Sequence, residues 1–509
     1  MEQGKLLPTG ARTAAARGSR LLLIQKIFVG TLQMAGGQGA TQLLNFARNL
    51  LIARLIGPEQ FGLGLTCLLV VAFVEMASDF SWHRFIVQDE QGEAPSLQAT
   101  LHTFLLVRGV ILAAALLFGA GFLTQVLGVP SELQWTYQVL AVVPLLVGMT
   151  HLDVKRFQRR LRYGPDVASQ CIGNLGGLLV GVAAAVMLGD YRSMLAAVVV
   201  RYTVATLVTH LVAERPYRIG YDRAIAHRAW RFGWPLLVNG SLLFASSQGD
   251  RAVIVRTFGV AVFGVYGAVA LVTQAVASLI VNVIGNLGLP ILAAHQRSRA
   301  DYITAYNRMG SISALTAIIV CVPMFAVLPT LIPLLYGDGF TMPHMLVGVL
   351  IMVLMALIFR NWPTIAMLAL GDSRIVMLEN GSRISGIAFA VAAAYTGGSV
   401  LHVAGALMLG EFAATVTIFL LIKRFHNFPI EYAAMLFSIV LAVGISCLLV
   451  EYWWERNLVV SFTAYPLILV AGLVSLYLAS SEVRSLARDL RAIAQRQVPT
   501  QDPLRSESL

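Results

Sequence analysis

The stretch ARLIGPEQFG (residues 53–62) interrupts an apolar run with an Arg, a Gly-Pro and a Phe-Gly, and VRTFGVAVFG (255–264) repeats its Arg-x-x-Gly-x-x-x-Phe-Gly spacing later in the chain. Each copy closes one long apolar window and opens the next, so each reads as a helix–helix corner. A Gly ends the first helix, where a left-handed backbone costs little, and the Phe-Gly begins the second. What the windows are follows from composition. Of 509 residues, 57% are apolar and only 12% charged, and the mean hydropathy is +0.75, which no ordinary water-exposed surface matches. Windows of about 20 apolar residues, long enough to cross about 30 Å of hydrocarbon, recur along nearly the whole chain, which leaves no room for a soluble catalytic domain.

About fourteen windows can be counted, near residues 28–55, 62–82, 99–123, 134–151, 166–188, 193–213, 233–257, 262–288, 306–335, 343–370, 376–396, 399–422, 432–451 and 458–480. The repeated phrases end windows one and seven. Six spans apart means the same direction through the bilayer, so the chain is expected to hold two parallel six-helix copies related by an axis along the membrane normal. The expected organisation is a basic leader 1–27, a first lobe 28–213, a loop 214–232, a second lobe 233–425, an added helix pair 426–480 and a terminal segment 481–509. The fold class is therefore an all-α integral membrane protein of about 14 spans. In SEVRSLARDLRAIAQR (481–496), Val483, Leu486, Leu490 and Ile493 share a face opposite the arginines, as in a helix lying on a membrane surface. Residues 498–509 read as disordered.

Basic residues sit on alternate sides: Lys5, Arg12, Arg17, Arg20 and Lys26 in the leader, then Lys155, Arg156, Arg159, Arg160 and Arg162, then Arg215, Arg218, Arg223 and Arg228, then Arg297, Arg299, Lys423 and Arg424, and finally Arg484, Arg488, Arg491 and Arg496. Arg84 alone marks the loop after window two; Arg192 and Arg456 are the clearest cases on the opposite side. The bias places both ends in the cytoplasm. No cleavable signal is evident in the leader. Topology explains much of the net charge of +11, so no nucleic-acid partner is implied. Cys67, Cys171, Cys321 and Cys447 all fall inside windows, far apart, without disulfide or metal spacing. No histidine pattern suits a metal; His102, His210 and His402 read as packing or interfacial residues. Tyr452, Trp453 and Trp454 suit an interface belt.

An ionisable residue inside a span costs about 2.5–3.5 kcal/mol and is a functional candidate. In window one Gln38, Gln42, Asn45 and Asn49 recur at helical spacing, with Arg48 beside them. Window seven carries Ser247, Asp250 and Arg251; aligning the repeated phrases sets Arg48 opposite Asp250 and Asn49 opposite Arg251. An ion pair between Arg48 and Asp250 that closes the outer side is one reading; neutralisation of Arg251 or another arginine of the same lobe by Asp250 is the other. Arg54 and Arg256, equivalent in the two phrases, are expected to snorkel to the interface. Arg108 and Arg201 lie mid-window, and Arg360, Glu379 and Glu411 are further in-membrane charges open to pairing with one another. Gln274, Ser278, Asn282 and Asn286 form a stripe on window eight. Guanidinium groups suit pyrophosphate oxygens, and amides and hydroxyls suit sugar hydroxyls. Packing between helices through these small polar groups is the alternative.

The runs LLIARLIGPEQFGLG (50–64), FGWPLLVNGSLLFASSQGDRAVIVRTFGVAVFGVYGAVALV (232–272), LGLPILAAHQ (287–296), LPTLIPLLYGDGF (328–340) and MLALGDSR (367–374) together resemble the oligosaccharide flippases of the multidrug/oligosaccharidyl-lipid/polysaccharide exporter superfamily. Ser81, where these flippases often have Gly, departs from the pattern. The resemblance implies two V-shaped lobes around a central cavity lined by windows one, two, seven and eight, alternating between the two sides of a bacterial inner membrane. It implies a substrate of undecaprenyl-pyrophosphate-linked oligosaccharide for lipopolysaccharide or exopolysaccharide assembly, surrounding membrane lipids, and a polysaccharide polymerase and other export-pathway proteins as partners. A peptidoglycan-precursor flippase, a cation-coupled drug exporter and, from another class, a membrane glycosyltransferase or polymerase are the alternatives. The last usually needs a large outer loop, and the loops here are short. No cofactor or metal is expected; H+ or Na+ coupling through Asp79, Asp250 or Glu411 stays open.

Overall fold

The computed structural model describes residues 9–454 and 458–496, with side chains described at residue 30, 33 and 34 and from 36 onward, apart from 454–462 and 490–496. The leader's basic side chains, Trp454, Arg456, Leu490, Arg491, Ile493, Arg496 and the tail 497–509 lie outside what is described. Among the described residues the regular elements are all helices, without strands. In chain order the helices are α1 (Thr9–Ala77), α2 (Trp82–Gln88), α3 (Pro95–Leu127), α4 (Gln134–Val139), α5 (Val142–Gly148), α6 (Asp153–Arg159), α7 (Gly164–Leu188), α8 (Arg192–Leu211) and α9 (Arg223–Phe258). There follow α10 (Val260–Ala294), α11 (Arg299–Tyr336), α12 (His344–Ala369), α13 (Ser373–Tyr395), α14 (Val400–His426), α15 (Glu431–Trp454), α16 (Leu458–Ala479) and α17 (Ser481–Arg496).

Among the described residues ten helices are long and apolar enough to cross a membrane, or up to twelve if each bent pair counts as one span. The protein is a multi-pass membrane protein, and the expected count of fourteen exceeds the ten at four places: besides window fourteen, whose described part Thr463–Ala479 is one arm of the second bent pair, three have a physical reason. Windows one and two are two helices joined without a loop inside α1, the non-helical Gly57 making the corner between them. Window four is split into α4 and α5, and the piece Ser131–Gly148 meets α6 at 46°. Window seven lies in α9, where Asn239, Ser241, Ser246, Ser247, Gln248, Asp250 and Arg251 dilute the apolar run.

The chain divides into two compact units, Met1–Leu271 with Leu334–Phe340, and Val272–Pro333 with Thr341–Leu509. The division does not fall in the expected loop 214–232, because α9 packs along the second part of α1. A Cβ on Gly233 would come 2.8 Å from the Phe80 carbonyl and one on Gly240 would come 2.2 Å from that of Met76, while Phe73 and Phe244 meet edge to face with centroids 5.2 Å apart. Within this unit α7 and α8 form a tight hairpin in which Gly173, Gly177 and Gly181 lie against Ala197, Arg201 and Ala205; such small-residue seams let backbones approach and hold helices by dispersion where no hydrophobic drive operates.

In the second unit α12 is the core helix, with 78% of its apolar window buried. Fully buried Trp362 sits 3.9 Å from Tyr306 by ring centroid and also meets Phe359 and Phe419. The α13–α14 hairpin closes through Gly386 against Gly410, so windows eleven and twelve pair as windows five and six do. The segment Ser481–Asp489 turns 102° from Thr463–Ala479. Ser480, fully buried, makes the turn: its hydroxyl accepts from Val483 N at 3.1 Å and meets Tyr432 and Ser311.

Candidate functional site

The two repeated phrases meet. Gly57 has φ 76° and ψ 171° and Gly259 has φ 85° and ψ 172°, the same conformation in both copies and one essentially confined to glycine. It is extended in ψ, not the left-handed helical turn expected from the sequence, so each corner swings the chain out before the next helix starts. Five residues on, Gly62 and Gly264 face each other. A Cβ on Gly62 would fall 1.8 Å from the Val260 carbonyl oxygen and 3.0 Å from Gly264 N; one on Gly264 would fall 1.9 Å from the Pro58 carbonyl oxygen and 3.0 Å from Gly62 N. Backbone touches backbone in a reciprocal pattern, and Phe61 and Phe263 are buried beside it.

The corner arginines reach further. Arg54 Nη1 donates to the carbonyls of Leu334 and Leu335, both at 3.1 Å, in the last turn of α11, where backbone acceptors are otherwise unused and the helix dipole favours a cation. Arg256 lies beside Gly128, the residue that ends α3. Windows three and nine are six apart, so each phrase sends its arginine to the end of the other copy's third helix. Arg54 therefore caps a helix instead of snorkelling freely. Gly128 (φ 66°) and Gly337 (φ 103°) are followed alike by 3-10 turns, Ser131–Leu133 and Asp338–Phe340, and Phe340 packs on Phe61 with centroids 6.0 Å apart.

Deeper in the first unit lies a charged site. Arg48 and Asn49 are 3% and 4% exposed; Arg48 Nε and Nη2 donate to Asn49 Oδ1 at 3.3 and 3.2 Å, and its Nη1 has no partner. Arg201 on α8 is close enough for the two charges to repel, and its guanidinium lies 4.9 Å from the ring of Tyr202. Among the described residues neither arginine has a carboxylate within ion-pair distance. Glu75, the nearby acid, accepts from Tyr202 Oη at 2.5 Å. Arg108 donates to Ser78 Oγ at 2.9 Å, and Asp79 accepts from the Ser81 amide at 2.7 Å and its hydroxyl at 3.0 Å.

The expected pair of Arg48 with Asp250 is not formed. Arg48 shares the face of α1 that carries Gly37 and Thr41, which pack on Val167 and Cys171 of α7; it is turned about 100° from the stripe of Gln38, Gln42, Asn45 and Asn49. That stripe runs from exposed Gln38 and Gln42 through half-buried Asn45 to buried Asn49. Asp250 accepts instead from Tyr266 Oη at 2.7 Å, and Ser247 Oγ donates to the Leu243 carbonyl at 2.6 Å. Arg251 is half-buried on the same helix. Gln274, Ser278 and Asn282 belong to the second unit, where Gln274 and Asn282 are exposed and Ser278 donates to the Gln274 carbonyl at 2.8 Å.

The second unit holds its charges differently. Buried Arg360 pairs with Glu379 and, at 3.1 Å, with Glu411; Arg383 pairs with the other Glu411 oxygen, and Thr364 donates to Glu379 at 3.0 Å. Two cations and two carboxylates neutralise one another. Glu75, Tyr202, Tyr266 and Arg383 were not singled out from the sequence, although Glu75 and Arg383 satisfy the same in-membrane-charge rule that picked out their partners. Among the described residues no group of three or more His, Cys, Asp or Glu could hold a metal, and all four cysteines are free.

The fold has solved counterparts. The chain matches a structure titled "Lipid II flippase MurJ, inward closed conformation" with TM-score 0.65 at 12% identity, covering 91% of this chain and 100% of the other. It matches an inward-facing multidrug resistance MATE family transporter of the MOP superfamily with TM-score 0.60 at 15% identity over 75% and 93% of the two chains. A MOP superfamily transporter from Pyrococcus furiosus gives 0.52 at 16% identity over 78% and 94%. A search of curated proteins returns no match. The model of the family described as "Polysaccharide biosynthesis protein" matches residues 51–362, more than half of the chain and inclusive of both corner phrases from Leu51 on, and the chain belongs to that family.

Proposed function

We propose that the protein is a carrier, not an enzyme, which moves an undecaprenyl-pyrophosphate-linked oligosaccharide from the cytoplasmic to the periplasmic leaflet of a bacterial inner membrane by alternating access, for lipopolysaccharide or exopolysaccharide assembly. The observation that carries this reading is Arg48 and Arg201, two guanidinium groups of one unit that bear on each other electrostatically within apolar spans and that, among the described residues, pair with no carboxylate. Two like charges held together in a low dielectric repel. A pyrophosphate placed against them replaces that repulsion with bidentate, charge-assisted hydrogen bonds, each worth about 1.5–3 kcal/mol. Glu75 accepts from Tyr202 and, among the described residues, makes no ion pair with either arginine. The neutral cluster around Arg360 in the other unit offers no such surplus.

The amide stripe on α1 supplies donors and acceptors for sugar hydroxyls. Opening at the corner end has to part Gly62 from Gly264 and draw Arg54 off the α11 carbonyls, which makes these contacts the gate of the cycle. The MurJ likeness favours a second reading at the same site, a lipid II-type peptidoglycan precursor, since the same two cations would serve any polyprenyl pyrophosphate. Titration of the purified protein with undecaprenyl-pyrophosphate oligosaccharide, lipid II and a lipophilic cation tests the assignment. Arg48→Ala and Arg201→Ala should each weaken binding of the oligosaccharide lipid about tenfold to a hundredfold. Tighter binding of lipid II selects the second reading. Binding of the cation alone, or pyrophosphate-lipid binding indifferent to both variants, overturns the site.

A further inference from the structure

We propose that the cavity between the start of α3 and the strap 213–222 binds a phosphate group, offered by the headgroup of an anionic phospholipid or by free phosphate. The cavity measures about 180 Å³ and is lined by Pro95, Gln98, Ala99, His102, Arg215, Pro216 and Arg218, room for about six groups of water size at about 30 Å³ each. Its floor is the first turn of a 33-residue helix, whose dipole puts partial positive charge there.

Gln98 is 4% exposed; its Oε1 accepts from Arg215 Nη1 at 3.4 Å, and its Nε2 has no partner among the described residues. A buried amide donor without an acceptor costs about 1–3 kcal/mol, and an anion in the cavity supplies the acceptor. Arg218 brings the charge. Its backbone carbonyl is fixed by His102 Nδ1 at 3.1 Å, while His102 Nε2 accepts from Leu152 N at 3.1 Å. Both ring nitrogens are used, so His102 is a neutral wall that holds the strap, and the Arg218 guanidinium projects from a tethered backbone with no ion pair or hydrogen bond among the described residues. Glu93, the acid nearest the cavity, is taken up by Arg160 at 2.8 Å as well as by Arg156 and Arg215, so it does not cancel Arg218. The apolar body of α3 begins at Leu97 and Leu101, both fully buried, and the cavity therefore sits at the level where a span meets its aqueous end.

The site is distinct from the Arg48–Arg201 pair. Native mass spectrometry of the whole protein in neutral detergent, with phosphatidylglycerol, diacylglycerol or inorganic phosphate added separately, reads it directly. Phosphatidylglycerol should add in preference to diacylglycerol, and Arg218→Ala and Gln98→Leu should each lower its occupancy about tenfold, with Arg218→Lys intermediate. Arg218 is exposed, so its variant folds even if the Gln98 variant does not. Adducts of inorganic phosphate with the same sensitivity assign the cavity to free phosphate. Equal binding of diacylglycerol, or binding unchanged in Arg218→Ala, overturns the proposal.

Discussion

At the scale of single residues, charge is what the membrane makes expensive, and the two units handle it in opposite ways. Around Arg360 four charges cancel inside the protein, so removing one partner leaves a buried charge uncompensated, at a cost of about 3–5 kcal/mol. Glu411→Gln should therefore lower thermal stability markedly, whereas Arg48→Ala should leave stability nearly unchanged and cost transport; thermal unfolding of the purified variants separates the two. Outside the spans, Arg160 holds the Glu93 carboxyl below the usual carboxylate range and Arg156 does the same for Glu214. Groups with lowered values stabilise the fold above their unfolded pKa of about 4.3 and lose that contribution as pH falls through the folded value. Hydrogen-exchange protection of the strap 213–222, taken relative to the intrinsic amide rate at each pH, should thus fall below about pH 4, and Glu93→Gln should show the lowered protection already at neutral pH. The chain's in-membrane arginines could be read from sequence because any such charge is exceptional. Their partners could not, since a one-residue step turns a side chain by about 100°: Arg48 is adjacent to the Gln–Asn stripe in sequence and faces α7 and α8 instead.

Between helices, the corner phrase is the element that sequence spacing revealed most fully. Two copies of Arg-x-x-Gly-x-x-x-Phe-Gly became two corners with matching torsions at Gly57 and Gly259. What spacing could not convey is that the copies touch, because contact across residues 62 and 264 is a matter of tertiary packing. The expected ion pair is not formed for the same reason, and at the corners it is glycine backbone that meets glycine backbone. Gly62→Ala sets a methyl group against the Val260 carbonyl and should cost about 1–3 kcal/mol through overpacking. In a cysteine-free background, Leu65→Cys, which lies against Gly267, should react with a membrane-impermeant maleimide several-fold faster once Gly62 is Ala. Arg54→Ala and Arg256→Ala should raise that rate to similar extents if the clasp is reciprocal. Spans were harder to count than to find: a Gly-Pro corner inside α1 and a polar α9 blur helix ends that hydropathy alone sees as separate or absent.

For the molecule as a whole, hydropathy established a helical membrane protein and the duplicated phrase established its repeat, and both are matched by helices that pair alike in the two copies, α7 with α8 and α13 with α14. The grouping of α9 with the first unit was not legible, since chain order predicts a boundary at the long loop and packing along α1 decides otherwise. Cargo is the least legible property, because two arginines suit any anionic group and say little about what is attached to it. Under the proposed function the protein turns over a pyrophosphate-linked oligosaccharide through the Arg48–Arg201 site. Its most direct test is reconstitution in liposomes with fluorescent undecaprenyl-pyrophosphate oligosaccharide on one leaflet, followed by a dye-quenching or lectin readout of the other. The account predicts transfer by the wild-type protein and loss of about 90% or more of the rate in Arg48→Ala and Arg201→Ala, in keeping with one lost charge-assisted bond. Wild-type liposomes no faster than empty ones, or variants as fast as wild type, would contradict it.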